Sequence, residues 1–181
     1  MRSSPLNLVA LALALALVGG CSESAPTTTS ETPSEKAALP AELFAAASLA
    51  GAEDIGAAKE HATVGTELTV RGRIGGSKEP FVSGRAALTL VTMEGLTSCK
   101  DLGEDHCPTP WDYCCETREQ LVRNTLTVQV TGPDGRPLRA SLEGVHGLEP
   151  LAVVEVHGTV SSRPNADVLV LDADRIHVVG P

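Results

Sequence analysis

Val70-Arg71-Gly72-Arg73-Ile74 and Val156-His157-Gly158-Thr159-Val160 share one form, Val-x-Gly-x-Ile/Val. In each, the apolar residues fall on alternate positions, the period of a strand with one buried face. A glycine inside such a strand marks a bulge or a sharp bend where a barrel turns a corner. The same period-two pattern extends outward. In Thr66–Ile74, Leu68, Val70, Gly72 and Ile74 share a face opposite Thr69, Arg71 and Arg73. Arg85–Thr92 is a shorter apolar run, and Thr125–Thr131 sets Leu126, Val128 and Val130 against Thr127 and Gln129. Leu151–Val160 and Val168–Val179 complete the set. Turn residues, including Gly132-Pro133-Asp134-Gly135 and Arg163-Pro164-Asn165, separate the runs. Short alternating runs between turn clusters predict an all-β fold, a sandwich or a barrel. In the last run the apolar face changes parity, from Leu169, Leu171 and Ala173 to Ile176 and Val178. A one-residue bulge between Ala173 and Ile176 accounts for that.

With the glycine-bearing first and fourth strands and the ending Val168-Leu169-Val170-Leu171-Asp172-Ala173-Asp174-Arg175-Ile176-His177-Val178, residues 65–181 resemble an OB-fold. The ending is similar to the closing strand of OB domains of the tRNA-anticodon-binding type. The resemblance implies a five-stranded Greek-key barrel. Nucleic-acid-binding members carry stacking aromatics and basic residues on the sheet, where this chain holds Thr, Ala and Gln. It looks closer in charge to the periplasmic OB-like domains that bind small or cationic ligands. Residues 41–64, rich in Ala, Leu and Glu, predict a short helical lead-in, broken near Gly51 and Gly56.

Between the second and third strands runs a long connection, about residues 94–124. It contains Cys99, Cys107, Cys114 and Cys115 together with His106, Trp111 and Tyr113. A loop this long in a compact domain is functional or specially braced. Two chemistries fit it. Four cysteines in an exported chain read first as two disulfides; a Cys114–Cys115 bridge is strained, so these two are expected to pair separately with Cys99 and Cys107. Alternatively, Cys99, His106, Cys107, Cys114 and Cys115 form a thiolate–imidazole site for zinc or copper. The spacing lacks the two-residue gap of ordinary zinc knuckles, and no Cys-x-x-Cys redox pair or haem motif is present. Phe81, in the first inter-strand loop, is expected to come near Trp111 and Tyr113. The three are then either a satellite core over the barrel end or an exposed stacking platform for a sugar, peptide or aryl ligand.

Other candidates are weaker. Gly75-Gly76-Ser77-Lys78 is too short for a phosphate loop. A hairpin turning near residue 164 would set His157 opposite about residue 171, so His157 and His177 do not form a ligand pair. Asp172 and Asp174 lie two apart on one strand face, as solvated charges or a cation's ligands. Arg71, Arg73 and Arg85 with Lys78 make the one local basic patch. No nucleophile elbow or other catalytic constellation occurs, so no enzyme is expected.

The N-terminus carries an address. Met1-Arg2 is followed by an apolar run from Leu6 to Val18 that ends in Val18-Gly19-Gly20-Cys21. The run is shorter than the roughly 20 apolar residues that cross a bilayer. A charged start, an apolar core and a small-residue cut site describe an export signal. Val18-Gly19-Gly20-Cys21 resembles the lipobox of bacterial lipoproteins, which implies removal of residues 1–20 and a diacylglycerol on Cys21. Several acyl chains at about 0.8 kcal/mol per buried methylene anchor firmly. Ser22, where an Asp would signal retention, resembles an outer-membrane destination facing the periplasm in a two-membrane cell. Residues 21–40, dominated by Ser, Thr, Pro and Glu, predict a disordered tether spanning about 25 Å.

With 14 basic and 23 acidic residues the chain has a formal net charge of −9, and its leader contributes only Arg2. Nucleic acid is therefore not an expected partner, because phosphate binding needs clustered Lys and Arg. Phe44, Phe81, Trp111 and Tyr113 are all the aromatics, so the core must be aliphatic. The expected protein is a lipid-anchored, non-catalytic binding or envelope-interaction module of the cell envelope without a cofactor, its partner a small ligand or an envelope protein. The alternative is a lipoprotein that handles zinc or copper.

Overall fold

The computed structural model describes residues 38–103 and 106–180. The expected leader, the expected lipid site Cys21 and the expected tether up to residue 37 lie outside the described residues. The remaining chain runs β1 (Glu53–Asp54), α1 (Ile55–His61), β2 (Glu67–Ile74), β3 (Ala87–Val91), α2 (Arg118–Asn124), β4 (Thr125–Gln129), β5 (Val153–Ser162) and β6 (Val170–Gly180). One sheet in the order β1-β2-β3-β4-β6-β5 closes through pairing of β2 with β5. Five strands thus form a barrel, and β1 adds outside it, parallel to β2. β4 and β6 run parallel, while the other barrel pairs are antiparallel. This is the all-β, OB-like architecture expected from the alternating runs, with the long cysteine-bearing connection between β3 and β4.

Inward positions along β2 are Leu68, Val70, Gly72 and Ile74, as the period-two reading requires. They meet Leu88, Leu90, Leu126, Val128, Val154, Val156, Val160, Leu171 and Ile176 in one aliphatic core. The strand glycines stand where another element presses in. A Cβ on Gly72 would come within 2.8 Å of Ile55 Cδ1. That is how α1 packs: Ile55 and Ala58 are fully buried and join the barrel core. On the other side, His157 pairs with Arg175 but Gly158 pairs with Ala173, leaving Asp174 as an extra residue in β6. The parity change in the last run is this bulge. It turns Ile176 back toward the core that Leu171 and Ala173 line.

The short helix expected ahead of the barrel is present as α1, and three details differ from the sequence reading. Of the lead-in 41–64, only Ile55–His61 is α-helical, with a single 3-10 turn at Ala41–Leu43. Phe44 instead bridges Ile176, and Ala45 N–H donates to Ile176 O at 2.8 Å. Sheet-edge carbonyls satisfy this backbone, which overrides the modest helical propensity of an Ala-rich stretch. Gly56 does not break the helix. It lies in the first turn of α1, its N–H bonded to the capping Asp54. Second, a helix the alternation did not predict, α2, closes the long connection. Thr117 and Gln120 form its capping box, a Thr-x-x-Gln signal present in the sequence. Third, Ser162 pairs with Val170, so the hairpin turns later than residue 164 and His157 stands opposite Arg175.

Candidate functional site

The β3–β4 connection is sewn to the end of β2 by two adjacent glycines. Gly76, at φ +81°, donates its N–H to Trp111 O at 2.9 Å. A Cβ on Gly75 would lie 2.6 Å from that same oxygen, so only glycine admits the loop this closely. Trp111 Nε1 returns a hydrogen bond to Lys78 O at 3.1 Å. The Gly75-Gly76 pair, no phosphate loop, is a seat for backbone.

Beneath the loop, Tyr113 is 1% exposed and adopts a left-handed φ of 57°. Arg73, reaching out from β2, contacts Tyr113 and forms an ion pair with Asp101. Asp101 also accepts from Ser98 Oγ at 2.8 Å. The hydrogen bond from Ser98 and that from Arg73 hold the Asp101 carboxyl below its ordinary range, as burial opposes them. Burial pushes the Tyr113 hydroxyl above its ordinary value. These contacts fix the stretches that carry Cys99 and Cys114.

Four donor atoms converge there. One sulfur each from Cys99, Cys107 and Cys114 and one carboxylate oxygen of Asp112 all lie within 4.8 Å of one another. Cys99 Sγ and Cys114 Sγ are 3.5 Å apart. Asp112 is oriented by its own turn: Thr109 Oγ1 donates to Oδ2 at 2.7 Å and Cys114 N–H donates to Oδ1 at 2.9 Å. None of Cys99, Cys107 and Cys114 is joined in a disulfide; Cys99 is buried, and Cys114 and Cys115 are exposed. Burial would raise the Cys99 thiol, yet hydrogen bonds from Cys114, Cys107 and Cys115 outweigh it and leave Cys99 below the ordinary thiol value. Cys114 is pushed up, first by its hydrogen bond with Cys99 and then by the nearby Asp112 charge. In chemical terms Cys99 lies at the centre of a group of sulfurs in mutual contact. A cation could take the place of the thiol protons.

The expected metal set is therefore partly assembled. Cys99, Cys107 and Cys114 come together. Cys115 stands outside the group of four but hydrogen-bonds Cys99. His106 is exposed and outside the group. Asp112 is the ligand candidate the sequence reading missed; its signal was a carboxylate two residues before Cys114, the spacing of an Asx turn.

The aromatic expectation is met only in part. Phe81 and Trp111 line one groove of about 540 Å³, with Lys78, Pro80, Arg139 and Glu143 among its walls. Phe81 bridges Leu88 and belongs to the core cluster, so mainly Trp111 offers a face. Tyr113 is buried and cannot join a platform, because the loop folds it inward under Arg73. The remaining candidates have structural partners. His157 Nδ1 meets Asp174 at 2.7 Å and His177 Nδ1 meets Ala45 O at 3.0 Å. Asp172 accepts from Gln129 and Ser161, each at 2.6 Å, while Asp174, at the bulge, meets His157. Arg71 faces Glu155 at 4.0 Å and Arg73 serves Asp101, which divides the basic patch.

No family model, no curated protein and no solved structure matches this chain.

Proposed function

We propose that this chain is a membrane-anchored lipoprotein whose barrel presents a thiol-rich metal site, a non-catalytic module that binds zinc or copper outside the cytoplasm. The observation that carries the reading is the mutual closeness of Cys99, Cys107, Cys114 and Asp112, within 4.8 Å. A tetrahedral ion with metal–sulfur bonds near 2.3 Å sets its ligands about 3.8 Å apart, so small side-chain shifts close the shell. Three sulfurs and one carboxylate within 4.8 Å repel one another when ionised, and a divalent ion offsets that cost. Soft sulfur ligands select zinc or copper over magnesium or calcium. The anchor rests on Val18-Gly19-Gly20-Cys21 in the sequence.

The test is metal stoichiometry on the chain purified reduced. One zinc per chain, and with cobalt a sulfur-to-metal charge-transfer band that weakens in Cys114→Ser, supports the reading. A reduced chain that binds neither ion overturns it. For the anchor, the mass of the Cys21 peptide from native membranes should carry the lipid; an unmodified Cys21 overturns that half.

A second reading is favoured by the groove beside Trp111: a module for a small ligand or envelope protein, with the loop serving as its rim. Quenching of Trp111 fluorescence by such a ligand, with calorimetric binding lost in Trp111→Ala while thermal stability is retained, would support it; binding unchanged in that variant would rule it out.

A further inference from the structure

Cys99 and Cys114 are 15 positions apart in the chain, yet their sulfurs are in contact at 3.5 Å. One is buried and the other exposed. Together they supply two of the four clustered donors, and without them Cys107 and Asp112 are too few for a closed tetrahedral shell. The stretches bearing them are held independently of any ion. Ser98, next to Cys99, bonds Asp101, which pairs with Arg73; Tyr113, next to Cys114, packs against the same Arg73. The two sulfurs therefore meet because β2 holds both stretches, whatever the cluster contains.

We propose that Cys99 and Cys114 form a redox latch on this site: a disulfide between them expels the metal, and its reduction restores the site. The inference rests on the metal reading above and names how binding is controlled. The oxidant is a soluble disulfide acting by thiol–disulfide exchange. The exposed Cys114 sulfur, a thiolate while the ion holds it, attacks one sulfur of the donor, breaking its S–S bond, releasing one thiolate and leaving a mixed disulfide on Cys114. The buried Cys99 sulfur then attacks the Cys114 sulfur, forms the Cys99–Cys114 bond and expels the second thiolate. The protein gives up two electrons and the donor becomes two thiols. The departing thiolates take the protons, or the ion, that the cysteine sulfurs held. The inner and outer placement suits the order of events, since a solvent-borne donor reaches Cys114 first and Cys99 only resolves. Because the Gly75–Trp111 seat and the Arg73 contacts lie outside the reacting pair, the latch closes with the barrel intact.

The experiment begins with the full chain, reduced and titrated with zinc, and then exposes it to glutathione disulfide. Zinc release is read with a chromogenic chelator, and products by intact mass and peptide mapping. Expected is complete loss of the bound zinc in step with loss of two hydrogens, mapped to Cys99–Cys114, and full return of zinc binding after a dithiol reductant. Zinc retained once that bridge has formed overturns the latch, as does a bridge mapped to another pair or no bridge at all. A reduced chain that takes up no zinc before oxidant is added fails at the first step and overturns the metal reading itself, so the two failures are distinguishable.

Discussion

Gly158 and Asp172 approach so closely that a Cβ on the glycine would sit 2.2 Å from the Asp172 carbonyl oxygen. The approach is a consequence of the Asp174 bulge, which brings the β6 backbone over β5 where the barrel bends. Gly158→Ala should therefore force β6 outward and destabilise the fold by about 3 kcal/mol, the upper range for overpacking a tight site. Urea unfolding monitored by far-ultraviolet dichroism would read it, and a change under 0.5 kcal/mol would show that the bulge is soft.

Gly75→Ala should act on the loop and spare the barrel. The added carbon would meet Trp111 O at 2.6 Å and displace the segment that carries Asp112 and Cys114. We expect zinc affinity to fall at least tenfold and Trp111 emission to shift red, while the unfolding midpoint changes little. Unchanged affinity would separate the cluster from its seat on β2.

Lys59 is 6% exposed, and its ammonium donates to the carbonyls of Val122, Arg123 and Asp167. It holds the last turn of α2 and the β5–β6 turn against α1. Lys59→Met leaves those carbonyls without this donor and should cost about 2 kcal/mol. Burial lowers the ammonium pKa from the ordinary 10.5 to about 8, against an opposing pull from Asp167. The unfolded chain therefore binds more protons between pH 8 and 10.5. Stability contributed by this residue should rise with pH across that window and be lowest below pH 8. The difference in unfolding free energy between wild type and Lys59→Met, measured at pH 7 and pH 10, should carry this slope; a flat difference would count against it.

Glu155, 4% exposed on the barrel wall, accepts from Ser48 Oγ and Leu49 N–H, both at 2.8 Å, and so clamps the lead-in. Burial raises its carboxyl, but those two hydrogen bonds, with His177 and Arg71, outweigh it and hold the group below its ordinary 4.5. The clamp is then fully present above that ordinary value and is lost as pH falls through the lower folded value. Glu155→Gln should expose the segment from Phe44 to Leu49, raising amide exchange at Leu49 by one to two orders of magnitude, for about 2 kcal/mol of lost local protection. Exchange at Leu49 that is unchanged at pH 7 would rule the clamp out.

The sequence by itself determined the barrel. Alternation in β2, β4 and β5 is a local signal with period two, and a slip of one residue would turn a whole face outward. The parity change after Ala173 located the bulge for the same reason, and Gly72 and Gly158 marked the two close approaches. The lead-in and the loop have no such period. Whether residues 44–49 coil into a helix depended on the edge of β6 offering Ile176 O and on Glu155 waiting on β5, partners more than a hundred residues away. Which cysteines meet, why Asp112 joins them and why Tyr113 turns inward were decided by Arg73 and the Gly75-Gly76 seat. Spacing along a chain does not set distance across it once a loop is anchored at points remote in sequence, so only the tertiary structure assembled the site.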